Sequence, residues 1–289
     1  MKTPKLPGIM VLTGVAAALC TPFSATAQTT YEVVAIEKMA NYLQTDAPTA
    51  QPALDAYALA AFVEGSNLSG ISAPTLTPPA GSGVSGATLV YDAWDDMWDH
   101  EVVFSGKAQL DAAYSNGTYA MNVAGTALTL NLTGDAYPNT PLLSFNQGFW
   151  SGGVFYFDPT QNLVMTTNVF SSYGSHPEAF ISINVDGDTG PGYFQQVEQF
   201  HSDAPDDDFL SLTLAAFDVA SGQDLEVEAG FTAVVDFTSD ATFPDAPIAA
   251  LYSSFVNLQL RAVPEAANAA WVAGLGALGF VLSRRRRRT

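Results

Sequence analysis

The chain has 289 residues, of which 13% are charged, and its formal net charge is −19. Between residues 28 and 263, Lys38, Lys107 and Arg261 are the only lysines or arginines against 28 acidic residues, so this segment carries −25. That field disfavours binding to nucleic acid or anionic lipid headgroups; it either attracts cations or keeps the surface hydrated. The one cysteine, Cys20, precedes this segment, so about 235 residues must fold without disulfides, as one large domain or two small ones.

The first 27 residues have the features of a secretory signal peptide. Lys2 and Lys5 form a positively charged start, residues 9–19 are apolar, and Ala25-Thr26-Ala27 is a cleavage site of the small-x-small type. We expect cleavage after Ala27 and export of the remainder.

The exported segment opens with an ambiguous element. Tyr31 to Leu43 combines residues that favour a helix, such as Ala, Glu and Met, with the Val and Tyr of strands, and we favour a strand. Residues 69–86 are rich in Pro, Gly, Ser and Thr, which indicates either a linker or a long loop. We therefore predict an N-terminal β-unit with its loop over residues 28–80 and a main β-sandwich over residues 81–262.

Short runs of β-branched and aromatic residues, often alternating with polar ones, follow one another along the main segment. This period of two is typical of half-buried antiparallel strands, and turn sequences such as Asn116-Gly117 separate the runs. Ser105 to Tyr114 is predicted to form a short helix. We predict an all-β fold, an antiparallel β-sandwich resembling a jelly roll with little helix. The predicted strands are residues 119–123, 127–132, 154–157, 163–170, 180–185, 209–214, 225–228, 231–237 and 255–260.

Residues 91–101 combine tryptophans with carboxylates. In a helix, Asp92, Asp95, Asp96 and Asp99 would share one face and repel unless a cation lay among them. In an extended segment, aromatic rings and carboxylates lie side by side, an arrangement that suits a sugar because the ring stacks on the pyranose and the carboxylate accepts its hydroxyls. The alternative is an acidic loop whose tryptophans cover the end of the sandwich. The candidate glycan-binding residues are Trp94, Trp98, Trp150 and Tyr156.

A second candidate site resembles the start of a calcium-binding loop. Asn184, Asp186 and Asp188 place oxygen ligands at alternate positions. Position six is Thr189 where an EF-hand has Gly, and position twelve is Gln195 where it has Glu, so an EF-hand is disfavoured. A looser Ca²⁺ site that also uses residues 206–208 is one hypothesis, and a pair of solvated turns is the other.

The sequence offers little support for catalysis. It contains no Gly-x-Ser-x-Gly elbow, no His-Glu-x-x-His and no phosphate-binding glycine loop. His100, His176 and His201 are far apart in sequence, and folding would have to bring them together to bind zinc. We predict a protein that is not an enzyme and has no catalytic residues.

Residues 263–289 have three parts: the motif Val263, Pro264 and Glu265, an apolar run, and a basic cluster of Arg284, Arg285, Arg286, Arg287 and Arg288. An apolar run of about 17 residues just crosses a hydrocarbon core, and arginines stay on the cytoplasmic side, which predicts a C-terminal transmembrane helix. The arrangement resembles the PEP-CTERM sorting signal of Gram-negative envelope proteins, with Ala266 in place of the usual second proline. The resemblance implies recognition by an exosortase-type processing enzyme, anchoring in the inner membrane before processing, and delivery to the cell surface or extracellular matrix.

Three functions remain open. We favour an exported, non-catalytic β-sandwich protein that is anchored in the envelope or released into the matrix and is associated with the cell surface or exopolysaccharide. The alternative is a carbohydrate-binding module, and a secreted glycan-active enzyme is the third hypothesis.

Overall fold

A computed structural model describes residues 29–187 and 193–263. The regular elements of the described chain are strands, apart from one α-helix and two 3₁₀ turns, so the predicted all-β fold with little helix is confirmed. None of the helices described here is long and apolar enough to cross a bilayer. The predicted signal peptide, Asp188 and everything from Pro264 onward, including Glu265, the predicted transmembrane helix and Arg284 to Arg288, lie outside the described residues.

The largest sheet has ten strands and forms the scaffold of the molecule. Its central strands are long because their residues are apolar or small on both faces, as expected for strands with both faces covered. In order across the sheet the strands are β14 (Phe194–Phe200), β13 (Phe180–Gly187), β16 (Asp224–Asp240), β17 (Phe243–Ala262), β1 (Thr30–Gln44), β2 (Ala50–Ser66), β6 (Met97–Phe104) and β5 (Val90–Asp92). Beyond the end of β1, β11 (Val154–Phe157) pairs with β17, and β10 (Phe149–Ser151) pairs with β11.

Two pairings in this sheet are parallel, which corrects the predicted purely antiparallel arrangement. Strand β1 runs parallel to β17, with Val34 opposite Ile248 and Leu43 opposite Asn257, and β11 is also parallel to β17. The first and last described strands therefore meet at the centre of the sheet. Strands β1 and β2, from the predicted N-terminal β-unit, belong to the same sheet as β6, β16 and β17 from the predicted main sandwich.

Two smaller sheets cover one face of the long sheet. One consists of β15 (Ser211–Leu214), β12 (Leu163–Thr167) and β9 (Leu143–Phe145), and the other of β4 (Ala87–Thr88), β3 (Thr75–Thr77), β7 (Gly117–Val123) and β8 (Thr126–Leu132). Each encloses its own core, and alternate residues of β17 reach both, with Ala250 in one and Leu258 in the other. The result is a double sandwich on one shared sheet, which differs from a jelly roll built from two four-stranded sheets.

The one α-helix among residues 29–187 and 193–263, α1 (Lys107–Ala113), falls within the predicted helix and buries Leu110 in the core under β7 and β8. Tyr31 to Leu43 is a strand, as predicted. The predicted strands 225–228 and 231–237 are parts of one long strand, β16. Gly230, which separates the two predictions, lies within this strand, and a Cβ there would contact Phe255. Strand β13 extends through Gly187, so Asp186 belongs to the strand where a turn was expected.

We call the face of the long sheet that neither small sheet covers the acidic face, because Glu37, Glu64 and Glu228 lie on it. It carries small residues, Ala35, Ala58 and Ala60, that are fully buried although neither small sheet lies over them. Glu64 on β2 is within electrostatic range of Glu198 on β14. A flat sheet would separate these two strands by about 24 Å, since neighbouring strands lie about 4.8 Å apart. We infer that the sheet coils, so that the acidic face is concave and β2 and β14 lie closer together than in a flat sheet.

Candidate functional site

An aromatic pocket of about 540 Å³ lies where β9 and β10 meet the loop between β1 and β2. We define the aromatic pocket by Pro48, Phe145, Phe149, Trp150 and Phe155, which line it. Gln44 at the end of β1 fixes the loop to this wall, because its side-chain amide exchanges hydrogen bonds of 2.8 and 2.9 Å with the backbone of Leu143.

The rings of the pocket form a continuous aromatic surface. Phe145 stacks on Phe155 with centroids 3.9 Å apart, and Trp150 meets Phe155 edge-on at 5.3 Å. Phe149, which is 58% exposed, stacks on Tyr156 at 5.5 Å and 12°. An exposed stacked pair beside a concave aromatic wall offers flat apolar area to a ligand ring.

The backbone at Gly148 sets the shape of this wall. Its φ is +101°, and a Cβ there would lie 2.4 Å from the carbonyl oxygen of Tyr156 and 2.6 Å from the Phe155 ring. Only glycine fits such a close approach with a positive φ. The residue therefore lets the chain before β10 fold tightly onto β11.

Most polar side chains of the pocket are already used inside the protein. The amide of Asn146 bonds the backbone of Val164 and Asn162, and that of Asn168 bonds Leu142 and Thr140. Trp150 differs, because its indole Nε1 is buried and has no hydrogen-bond partner in the described part of the chain. A buried donor without an acceptor is costly, so a ligand oxygen that reached this N–H would relieve that cost.

The other two predicted glycan-binding residues lie at the far end of the long sheet. Trp94 is 96% exposed in the turn between β5 and β6, whereas Trp98 packs on Tyr91 and donates its indole N–H to the carbonyl of Leu68 at 3.0 Å. This turn lies at the start of β1, and the pocket lies at its end about 45 Å away, given about 3.3 Å per residue. The structure brings Trp150 and Tyr156 together and leaves Trp94 and Trp98 apart from them.

The carboxylates near Trp94 have structural partners. Asp96, at φ +49°, accepts hydrogen bonds from the backbone of Asn67 and Leu68 and from the hydroxyl of Tyr91. The hydrogen bond from Tyr91 is the main reason that the pKa of Asp96 is lowered. Asp96 therefore fastens the turn to the end of β2, which supports the interpretation of residues 91–101 as a structural end cover.

The predicted calcium ligands fall only partly within the described chain. Asn184 and Asp186 project from the acidic face of β13, where Asn184 is paired with Glu228 across the sheet. The described residues include no group of three or more His, Cys, Asp or Glu side chains placed to hold a metal ion. Because Asp188 lies outside them, the calcium site stays a prediction.

The three histidines make separate contacts. His100 on β6 bonds the hydroxyl of Tyr114 at 3.0 Å, His176 accepts from the backbone of Glu178, and His201 packs edge-on against Tyr173. Each of these contacts is of a kind found in ordinary packing.

Three glutamates of the acidic face have strongly raised pKa values. Burial, with a further contribution from the nearby carboxyls of Glu32 and Glu37, raises the pKa of Glu64 to about 8. Burial likewise raises the pKa of Glu37 to about 7, against a hydrogen bond from Ser253, and that of Glu228 to about 8, against one from Asn184. Glu64 is 3% exposed, and neither of its carboxyl oxygens has a hydrogen-bond partner among the described residues.

Glu37 and Glu64 are not among the predicted site residues. Glu37 follows Val33 and Ala35 on one face of β1, while Val34, Ile36 and Lys38 alternate with them on the other. A strand with apolar residues on both faces buries whatever polar residues it contains. That signal was available in the sequence once the segment was assigned as a central strand.

A buried lysine on β1 contacts both α1 and the segment that follows it. Lys38 has a fully buried side chain, and its Nζ donates to Asp111 Oδ1 at 2.8 Å and to Asn116 Oδ1 at 2.7 Å. Asp111 also pairs with Lys107 at 2.6 Å, and Lys107 pairs with Asp135 at 2.8 Å. Burial lowers the pKa of Lys38, although its contact with Asp111 opposes this.

Comparisons with known proteins do not assign a family. No model of a known protein family matches the chain, and no curated protein matches it either. Among solved structures, the chain is similar to E. coli alpha-2-macroglobulin in its native conformation, with 8% identity, 69% of this chain and 13% of that chain covered, and a TM-score of 0.21. It is also similar to the FN1-FN3 domains of chicken CNTN1, with 9% identity, 78% and 66% covered, and a TM-score of 0.21. The chain thus spans less than two thirds of the length of both.

Proposed function

We propose that this chain is an exported, non-catalytic protein of the cell surface whose aromatic pocket binds exopolysaccharide. The observation that carries the proposal is the buried, unpaired indole N–H of Trp150 in a wall of aromatic rings. Sugars present apolar ring faces that stack on aromatic side chains, together with many oxygens that accept hydrogen bonds. A pyranose against Trp150 would satisfy both features at once.

The size and lining of the pocket agree with a small ligand unit. Its volume of about 540 Å³ is within the range of about 300–1,000 Å³ that is usual for ligand pockets. The exposed pair of Phe149 and Tyr156 adjoins it and extends the aromatic surface. We infer that one sugar unit enters the pocket while the chain continues over this pair.

The chain termini support export. The predicted signal peptide directs residues 28 onward across the inner membrane, and the PEP-CTERM-like tail would anchor the protein there until an exosortase-type enzyme processes it. The acidic, cysteine-free body needs no oxidative folding and suits a hydrated polysaccharide matrix. Cell fractionation and a mass measurement of the mature protein test this step: intact protein in the cytosol with residues 1–27 retained contradicts it.

Binding to a glycan array, followed by titration with the best oligosaccharide, tests the pocket. Trp150→Ala should weaken binding about two- to tenfold, since an aromatic contact contributes about 0.5–1.5 kcal/mol. Trp150→Phe retains the ring and removes the N–H, so an intermediate loss assigns the hydrogen bond. Trp94→Ala is the matched control, because this exposed tryptophan lies at the other end of the sheet.

Two results would reject the proposed function. One is the absence of binding to any glycan, and the other is an equal loss of affinity in the Trp94 and Trp150 variants. Hydrolysis of the bound polysaccharide by the purified protein would instead support the hypothesis of a secreted glycan-active enzyme.

A further inference from the structure

The buried amine of Lys38 contacts Asp111 and Asn116 at the edge of the core, in an arrangement that resembles a reaction centre. The Lys38 amine is 2.7 Å from Asn116 Oδ1, and the C=O bond is about 1.23 Å long, so its nitrogen lies at most about 3.9 Å from Asn116 Cγ. Reacting atoms in a near-attack arrangement are about 3–3.5 Å apart. Attack requires the Asn116 amide to rotate so that Cγ, in place of Oδ1, faces the amine.

Burial lowers the pKa of the Lys38 amine and so favours its neutral, nucleophilic form, while the contact with Asp111 opposes this shift. The Lys38 side chain is 0% exposed, and in the sheet it lies between Leu59 on β2 and Tyr252 on β17. Low polarity around an amine disfavours its charged form, as it does for nucleophilic lysines in enzymes. Asp111, whose other oxygen is held by Lys107, accepts a hydrogen bond from the amine at 2.8 Å and is placed to take its proton.

We propose that Lys38 and Asn116 join in an intramolecular isopeptide bond, with Asp111 as the proton acceptor and donor. Asp111 takes a proton from the Lys38 ammonium, and the Nζ lone pair attacks Cγ of Asn116. As the Cγ–Nδ2 bond breaks, Asp111 returns a proton to Nδ2 and accepts the second proton lost from Nζ. The products are one amide bond and ammonia, which leaves as ammonium after taking the proton from Asp111, and no oxidant or reductant is needed.

The isopeptide bond would crosslink two distant parts of the chain. It ties β1, at the centre of the long sheet, to the segment between α1 and β7, and so closes a loop from residue 38 to residue 116. Asn116 is exposed, which gives ammonia a path to solvent. An exported segment without cysteine cannot use disulfides, and this bond would supply a covalent link that reduction does not break.

Peptide mapping of the full-length protein tests the proposal directly. The protein is denatured and digested with trypsin, and the peptides are sequenced by tandem mass spectrometry. We expect no cleavage after Lys38 and a joined peptide that contains Lys38 and Asn116 and is lighter than the sum of its parts by the about 17 Da of ammonia. Recovery of separate, unmodified peptides from the wild-type protein overturns the proposal.

Variants distinguish this bond from other losses of ammonia. Lys38→Arg retains the charge beside Asp111 but not the nucleophile and should abolish the joined peptide, whereas Lys107→Arg retains the supporting ion pairs and should leave it. Asp111→Asn should slow its formation, and formation at the wild-type rate would overturn the role of Asp111. A loss of about 17 Da confined to the Asn116-Gly117 peptide would mean cyclisation onto the backbone and would also overturn the proposal.

Discussion

The acidic face makes the stability of the protein dependent on pH, and Glu64→Gln isolates this effect. The carboxyls that act on Glu64 are those of Glu32 and Glu37 on β1, Asp95 in the turn before β6, and Glu198 on β14. All of these neighbours are acidic. Burial and these like charges raise the pKa of Glu64 from 4.5 to about 8, so the folded protein holds a proton that the unfolded chain releases.

The sign and size of the effect follow from proton linkage. The contribution of Glu64 to stability is complete below pH 4.5 and is lost as the pH rises towards 8, because the unfolded state then binds fewer protons than the folded state. At about 1.36 kcal/mol per pH unit, the loss between pH 4.5 and 8 is at most about 4 kcal/mol. Glutamine has nearly the same shape and does not ionise, so the variant should not show this loss.

Urea unfolding followed by tryptophan fluorescence at pH 5, 6.5 and 8 measures the difference. We expect the Glu64→Gln variant and the wild type to differ least at pH 5, and the variant to gain relative stability steadily up to pH 8. Glu226→Gln, at an exposed position on β16, is the matched control and should follow the wild type. If the curves of wild type and Glu64→Gln stay parallel across this range, Glu64 is not held in its protonated form and the reasoning fails.

Three further predictions concern packing and ions. Gly148→Ala should destabilise the fold by about 1–3 kcal/mol more than Gly152→Ala, which has positive φ but open space, as measured by urea unfolding. Phe231→Ala, which removes the ring stacked on Phe170 at 4.8 Å, should cost about 3–5 kcal/mol in the same assay, whereas Phe149→Ala should cost little. If Asn184, Asp186 and Asp188 bind Ca²⁺, millimolar Ca²⁺ should raise the Tm by about 2–4 °C, and an unchanged Tm rejects that site.

Local patterns in the sequence predicted the strands that have one buried face. In β7, Tyr119, Met121 and Val123 are buried while Ala120 and Asn122 are exposed, which is the alternation on which the prediction rested. Strand β2 was missed, because its alanines favour strands weakly. In the structure Ala58 and Ala60 lie on the concave side of the coiled sheet, so the reason for those alanines is tertiary.

Long-range pairing and site assembly were beyond the local signal. The parallel pairing of β1 with β17 joins residues more than 200 positions apart, and no pattern in either strand indicates it. Trp150 and Tyr156 were identified by residue type alone. Their neighbour Pro48 comes from the distant loop between β1 and β2, so the pocket could not be predicted, nor could the separation of Trp94 from it.

The few lysines and arginines between residues 28 and 263 leave the buried carboxyls of the acidic face without a positively charged partner. Lys38 and Lys107 are paired with Asp111, Lys107 also with Asp135, and Arg261 with Asp224 at 3.5 Å. These are the only lysines and arginines between residues 28 and 263, so none remains to neutralise Glu37, Glu64 or Glu228. An unpaired buried carboxylate is strongly disfavoured. Ionisation of these carboxyls should therefore destabilise the acidic face unless a cation from outside enters among them, and the pH series with and without Ca²⁺ separates the two cases.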